Sequence, residues 1–149
     1  MTTEPLATSD PSPTSPRTPL VLFDGACPMC SREIAHYRRV RGADKLQWLD
    51  VANEPGALPI DGVDRDTAMA RFHVRDVNGH WQTGAYGFAE LWAHLRGYRL
   101  LSLAVRKLHL LPLIDAAYTR FARWRLRRQC DTGACTVGGS TANKPEGTI

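Results

Sequence analysis

The sequence lacks the features of a membrane-embedded or secreted protein. No segment approaches the ~18 uninterrupted apolar residues of a membrane span. The longest apolar tract, residues 100–113, is interrupted by polar residues and a proline. Residues 1–19 contain neither the basic segment nor the apolar core of a secretory signal. The sequence therefore predicts a cytoplasmic protein in a reducing compartment.

Cysteine is also scarce. Four cysteines are too few to staple a chain of 149 residues as a disulfide framework, and they form two pairs, Cys27/Cys30 and Cys130/Cys135. The five histidines show no spacing typical of metal ligands, and we expect no cofactor. In a reducing compartment, a Cys-x-x-Cys pair is catalytic or metal-binding more often than structural. Cys27 and Cys30 are therefore the candidate reactive pair.

The composition that remains is that of one soluble domain. The hydrophobic fraction of 43% and the charged fraction of 23% are ordinary, and the net charge of +4 is only mildly basic. Residues 1–19 are rich in Pro, Ser and Thr and are predicted to be a disordered tail. Residues 131–149 are predicted to be a flexible tail. The domain is expected to span residues 20–130.

Hydrophobic periodicity predicts an α/β fold in the order β-α-β-α-β-β-α with extra C-terminal helices. The strand, helix, strand unit at the start predicts two parallel strands with a right-handed crossover. The pair Asn78-Gly79 predicts a hairpin. The predicted strands are 20–23, 46–51, 69–76 and 80–83. Five helices are predicted: residues 31–41, 53–58, 84–96, 99–110 and 112–128. A left-handed Gly42 is expected to close the first helix, while Thr83 is the expected N-cap of the third and Gly97 its end. Residues 59–66 are predicted to be a loop.

Three of these elements have a predicted buried face. The segment 69–76 alternates apolar and polar residues and should be a half-exposed strand. The helix that follows Thr83 should bury a stripe at helical spacing: Phe88, Leu91, Trp92 and Leu95. The last helix should bury a second stripe of this kind: Ile114, Ala117, Tyr118, Phe121 and Trp124.

The segment Asp24–Cys30, with an apolar strand before it and a helix after it, resembles the signature of the DCC family of thiol-disulfide oxidoreductases. The segments Asp115–Tyr118 and Phe121–Arg125 are similar to the C-terminal helix of that family, and the hairpin to its central region. This resemblance over residues 20–130 implies a thioredoxin-like fold and protein-disulfide oxidoreductase activity. Thioredoxins also place a cis-proline before the third strand, whereas residues 67–70 contain no proline, and we expect no cis peptide there.

Disulfide exchange needs a thiolate that attacks and a second thiol that resolves the mixed disulfide. Cys27 is the predicted nucleophile because it lies at the start of a helix, where unpaired N–H groups and the helix dipole favour negative charge. Cys30, one turn later and on the predicted buried stripe with Ile34 and Tyr37, is the predicted resolving thiol. Pro28 fits the first helical turn, because its missing N–H would have no partner there.

Asp24 and Gly25 are predicted to support this pair. Asp24 has two candidate roles, as a proton acceptor for Cys30 or as a turn residue that caps backbone N–H groups. We favour the turn, since a carboxylate beside Cys27 would oppose formation of its thiolate. Gly25 is expected to provide a backbone geometry, or a close approach, that a side chain would block.

Cys130 and Cys135 leave three interpretations open. They are an auxiliary redox pair that passes electrons to Cys27 and Cys30, they complete a four-thiolate zinc site with that pair, or they are incidental thiols in a flexible tail. The second interpretation makes the protein a zinc-binding module rather than an enzyme. As a reductase, its partners would be a disulfide-containing protein or a small thiol, and an electron donor that the sequence does not identify.

Five arginines crowd the last predicted helix: Arg120, Arg123, Arg125, Arg127 and Arg128. This pattern suits a solvated helix face with Phe121 and Trp124 packed on the core, which we favour. It also suits a basic adaptor that docks on an anionic partner or a membrane surface. Nucleic acid is not an expected partner, since no nucleic-acid-binding signature is present.

Overall fold

The computed structural model describes residues 17–131 as a four-stranded sheet with helices on both faces. The α/β order predicted from the sequence, with two extra C-terminal helices, is confirmed. Short 3₁₀ helices occupy Ala43–Lys45 and Pro55–Ala57. The strands are β1 (Leu20–Phe23), β2 (Gln47–Asp50), β3 (His73–Arg75) and β4 (Trp81–Thr83), and the helices are α1 (Pro28–Tyr37), α2 (Arg65–Ala70), α3 (Gly84–His94), α4 (Arg99–Lys107) and α5 (Leu111–Asp131).

The sheet has the order β2-β1-β3-β4. Strand β1 pairs in parallel with β2 and antiparallel with β3, so that Val21 lies between Trp48 and Val74. The hairpin predicted at Asn78-Gly79 joins β3 to β4, with Gly79 at a positive φ of 89°. The sheet therefore has the mixed arrangement of a thioredoxin-like fold, and its most buried strand leads directly into the Cys-x-x-Cys segment.

Successive residues of β1 enter different cores, as the alternation of side chains along a strand requires. Val21 packs with α1 and α3, whereas Leu20 and Leu22 pack with α2 and the loop after β2. The predicted stripe of α3 is confirmed, because Leu91 and Leu95 are completely buried and its two aromatic members pack against the same core.

The second helix is not where the sequence predicted it. Residues 53–58 form only a 3₁₀ turn, and α2 instead lies at Arg65–Ala70, where a loop and the start of a strand were expected. The Asp64 side chain caps this helix by accepting the Thr67 N–H at 2.7 Å. Because α2 covers one face of the sheet, β3 is not half-exposed, and His73 is only 3% accessible.

Two further helix predictions were wrong in detail. Helix α1 ends at Tyr37 rather than at Arg41, and Gly42, although left-handed, precedes a 3₁₀ helix instead of capping α1. Thr83 is the N-cap residue of α3, but its side chain makes no capping hydrogen bond. The carboxylate of Asp115, on α5, accepts the Ala85 N–H at 3.0 Å instead.

Helix α5 is rotated relative to its predicted buried face. Its buried residues are Leu111, Ala122 and Arg125, while Ala117 and Trp124 from the predicted stripe are exposed. Polar side chains explain the rotation, because residues on the inward face bond to the sheet and to the loops. Within the described part of the chain, no helix combines the length and the apolar character needed to cross a bilayer.

Candidate active site

The turn between β1 and α1 is built around the carboxylate of Asp24, whose side chain is 2% exposed. Its Oδ1 accepts the Ala26 N–H at 3.0 Å, and its backbone carbonyl accepts the Cys27 N–H at 3.3 Å. These bonds confirm the turn interpretation of Asp24. They also fix the direction in which the chain enters α1.

Position 25 must be glycine because Asp50, at the end of β2, lies too close for a side chain to fit. The sequence patterns did not indicate a role for Asp50. The Asp50 Oδ1 atom accepts the Gly25 N–H at 3.0 Å and the Ala52 N–H at 3.0 Å. A Cβ atom at Gly25 would overlap the Asp50 carboxylate. The close approach predicted for Gly25 is thus real, and its partner is the neighbouring parallel strand.

Cys27 occupies the N-cap position of α1, with Pro28 in the first turn, as predicted. Its Sγ accepts the Cys30 N–H at 3.4 Å. The Ser31 hydroxyl donates to the Gly25 carbonyl at 2.8 Å and ties the first turn of α1 to the loop before it. Both cysteines are free thiols.

The burial of the two thiols differs from the prediction. Cys30 was expected on the buried stripe of α1, but it is partly exposed, whereas Cys27 is only 4% exposed. Ile34 and Tyr37 do lie on that stripe and are buried. The end of α5 comes close to the turn that carries Cys27, because the Gln129 amide donates to Asp24 Oδ2 at 3.0 Å.

Arg125 of α5 is the residue of this site whose role the sequence reading missed. Its Nη1 donates to Cys30 Sγ at 3.0 Å, and its Nη2 donates to the Met69 carbonyl at 2.7 Å. The same Nη1 lies 3.8 Å from Asp24 Oδ2, so one buried guanidinium faces both a carboxylate and a reactive sulfur.

The prediction of a solvated arginine face is therefore wrong for Arg125, although the other four arginines of α5 are exposed. The prediction that both aromatic side chains pack on the core is also wrong for Trp124, which is 46% exposed beneath the Arg128 guanidinium. A signal was present in the sequence, since Leu111, Tyr118, Ala122 and Arg125 recur at spacings of three, four or seven residues. The mixture of polar and apolar types in that series hid it.

The environment of Cys30 favours its protonated form. Burial raises the pKa of the Cys30 thiol to about 12, and the adjacent Cys27 adds to the increase. The charge of Arg125 and its hydrogen bond act in the opposite direction and lower this pKa. Cys30 therefore holds its proton more tightly than an ordinary thiol, while the guanidinium of Arg125 lies against its sulfur.

The segment that leads into β3, residues 67–72, also differs from that of thioredoxins, as expected. Residues 67–72 contain no cis peptide bond. The Met69 carbonyl in this segment instead accepts the hydrogen bond from Arg125. An arginine thus stands next to the reactive pair, on the side from which this segment approaches it.

Only part of the second cysteine pair can be placed, because Cys135 lies outside the described residues. Cys130 is disulfide-bonded and therefore does not offer a thiolate to a zinc ion in this structure. Among residues 17–131, no group of three or more His, Cys, Asp or Glu side chains is arranged to hold a metal ion. The auxiliary redox role of Cys130 and Cys135 stays a prediction.

Comparison with known proteins agrees with the geometry. The model of the DCC1-like thiol-disulfide oxidoreductase family matches residues 21–131, most of the chain. No curated protein and no solved structure gave a significant match. The match begins in β1, ends with α5, and so includes both cysteines of the pair and Arg125. The chain belongs to the DCC1-like thiol-disulfide oxidoreductase family.

Proposed function

We propose that the protein reduces disulfide bonds by using Cys27 and Cys30 as a dithiol. The observation that carries this proposal is the placement of two free thiols on the first turn of α1, one at the N-cap and the other 3.0 Å from a buried guanidinium. The helix start stabilises a thiolate on the first sulfur. The cation supports loss of a proton from the second.

In the first step, the thiolate of Cys27 attacks one sulfur of a substrate disulfide. A bond forms between Cys27 Sγ and that sulfur, and the substrate S–S bond breaks. The departing substrate thiolate takes a proton from solvent. The high pKa of Cys30, about 12, supports this order, because Cys30 holds its proton while Cys27 accepts an N–H hydrogen bond.

In the second step, Cys30 gives its proton to solvent and attacks Cys27 Sγ. The mixed disulfide breaks, the second substrate thiolate leaves, and a bond forms between Cys27 and Cys30. Arg125 stabilises the transient thiolate of Cys30, since an opposite charge this close favours the ionised form. The two electrons that reduce the substrate come from the dithiol, and an external thiol must restore it.

A reductase of this kind suits a reducing compartment such as the cytoplasm, where the pair is returned to the dithiol after each turnover. Asp24 contributes by holding the turn and by balancing the charge of Arg125, whose Nη1 lies 3.8 Å away. That balance allows a cation to be buried beside the thiols at a lower desolvation cost.

Reduction of insulin disulfides in the presence of dithiothreitol tests the proposed activity. Wild-type protein should accelerate the reaction over dithiothreitol alone, and Cys27→Ser should remove the acceleration, because serine provides no thiolate at neutral pH. A Cys27→Ser variant with full activity would falsify the assignment. The matched variant Cys130→Ser should keep its activity if the second pair is incidental and lose much of it if that pair passes electrons to the first.

A further inference from the structure

Cys30 lines a small cavity whose other walls are mainly apolar. The cavity has a volume of about 40 Å³, and Cys27 is not among its lining residues. Phe72, Phe88, Tyr118 and Phe121 provide aromatic walls. Four charged residues also line the cavity: Asp24, Glu33, Arg71 and Arg125. Most of the wall is nevertheless apolar, and the volume accommodates the tip of an apolar side chain against the aromatic rings.

The cavity shares part of its wall with a larger one beside α5. A second cavity of about 250 Å³ is lined by Trp92, Leu111 and Ile114 among others. Four residues line both cavities: Glu33, Phe88, Tyr118 and Phe121. The two cavities are therefore neighbours with a common wall. We refer to them together as the α1/α5 groove, and Cys30 lines one end of it.

Three large apolar side chains of α5 are exposed, and one of them, Ile114, lines this groove. Leu113 is 71% exposed, Trp124 46% and Ile114 36%. Two of the three, Ile114 and Trp124, belong to the five-residue stripe that periodicity predicted to be buried, and the polar contacts of the inward face have turned them outward. Exposed apolar surface beside a groove marks a site that binds an apolar partner.

We propose that the α1/α5 groove binds a large apolar side chain adjacent to the disulfide cysteine of the substrate. The substrate class is then an extended polypeptide segment, such as an unfolded or loop region, rather than a small hydrophilic disulfide. This inference rests on the proposed function. Continuity of the groove with Cys30 selects the occupant, because a side chain in the groove places its neighbouring disulfide at the dithiol.

Paired peptide substrates test the proposal. Each peptide contains one disulfide, and the two peptides differ only in the residue next to the cysteine, phenylalanine or serine. Wild-type protein should show a kcat/KM about tenfold higher for the phenylalanine peptide, the gain expected from partial burial of a large side chain. Equal kcat/KM for the two peptides would overturn the groove assignment while leaving the reductase intact.

Serine variants of one isoleucine and one leucine test whether the preference for the phenylalanine peptide arises in the groove. Ile114→Ser, in the groove, should reduce the tenfold preference to about threefold or less. Leu103→Ser, on α4 at a position that is 53% exposed and lines neither cavity, should leave it unchanged. Loss of the preference in both variants, or in neither, would contradict the groove. Both positions are on the surface, so both variants should fold.

A binding measurement separates the groove from the chemistry. Peptides with serine in place of both cysteines cannot react, and calorimetry should still show tighter binding of the phenylalanine peptide. If neither disulfide peptide is reduced but this difference in binding persists, the proposed function fails and the groove stands. Equal binding of the two serine-containing peptides would overturn the groove assignment. A dimer that Ile114→Ser dissociates would also overturn it, because the groove would then bind a second copy of the chain.

Discussion

The first turn of α1 and the inward face of α5 contribute to the same site in different ways. The turn supplies the two sulfurs, and several of the bonds that shape it are local, such as Asp24 to Ala26 and Cys27 to Cys30, with Asp50 adding a bond from the neighbouring strand. Helix α5 supplies Arg125, which is 95 residues from Cys30 along the chain. The two sulfurs are thus encoded in one short segment, and the cation beside them comes from a distant one.

This difference shows how a common Cys-x-x-Cys turn becomes a specific site. The turn depends on the local sequence and on Asp50 of the adjacent strand. A buried cation beside the second thiol requires α5 to be fixed against the sheet, and side chains along its inward face do this. Asp115 binds Arg71 at 2.7 Å, Tyr118 accepts the Phe72 N–H at 2.8 Å, and Gln129 donates to Asp24.

The largest expected effect comes from removing the cation that α5 supplies. In Arg125→Met, the thiolate of Cys30 loses its opposite charge, and the resolving step should slow by roughly ten- to a hundredfold at neutral pH. Attack by Cys27 should change less, so the mixed disulfide should accumulate in a rapid-quench experiment. Arg123→Met, which alters an exposed arginine two residues away, should not accumulate it. Equal slowing in both variants would contradict the role of Arg125.

The turn itself is tested by Gly25→Ala. The new Cβ would overlap the Asp50 carboxylate, which must then move and give up its bonds to the turn. Unfolding in urea under reducing conditions should show a loss of about 1–3 kcal/mol. Gly56→Ala is the matched control, because its Cβ would meet nothing within 4 Å. A similar stability for the two variants would show that the approach of β2 does not constrain the turn.

The attachment of α5 is tested by Tyr118→Phe, with a smaller expected effect. The change leaves the Phe72 N–H without its acceptor at the start of β3 and should cost about 1 kcal/mol of unfolding free energy. Tyr86→Phe, at a side chain that is 40% exposed, should change stability by less than about 0.5 kcal/mol. If the two variants are indistinguishable, this bond does not hold α5 in place.

The most gradual effect is the dependence of stability on pH. Burial raises the pKa of Cys30 from 9.0 to about 12, so the folded chain holds this proton more tightly than the unfolded chain. The free energy of unfolding should therefore fall as the pH rises from about 9 toward 12. Urea unfolding of the reduced proteins should show that the free energy of unfolding falls less steeply with pH in Cys30→Ser than in the wild type. Parallel declines would contradict the protonated state of Cys30.

The sequence predicted most of the fold because its main signals are local. The apolar run of β1, the Asn78-Gly79 turn and the stripe of α3 each predict an element without knowledge of the rest. Helix α2 was missed because Met69 and Ala70 continue an alternating pattern into β3. The N-cap at Asp64 was the competing signal, and the packing of Ala68 and Met69 in the second core decides between the two.

The site was predicted only as far as the local sequence extends. Cys27, Pro28, Gly25 and Asp24 are where the spacing placed them. Arg125 was missed because hydrophobic periodicity assigns the apolar stripe of a helix to the core, and in α5 polar bonds override that preference. Charged residues are seldom buried without partners, and the partners of Arg125 are far away in sequence.

Trapping of the mixed disulfide tests the dithiol mechanism most directly. Reduced Cys30→Ser and Cys27→Ser proteins would each be mixed with an excess of a peptide disulfide, quenched with acid and analysed by mass spectrometry. Attack by Cys27 predicts a stable adduct on Cys27 in the Cys30→Ser protein and little or none in the Cys27→Ser protein. A rapid adduct on Cys30 in the Cys27→Ser protein, with none on Cys27 in the other, would contradict it and make the partly exposed thiol beside Arg125 the nucleophile.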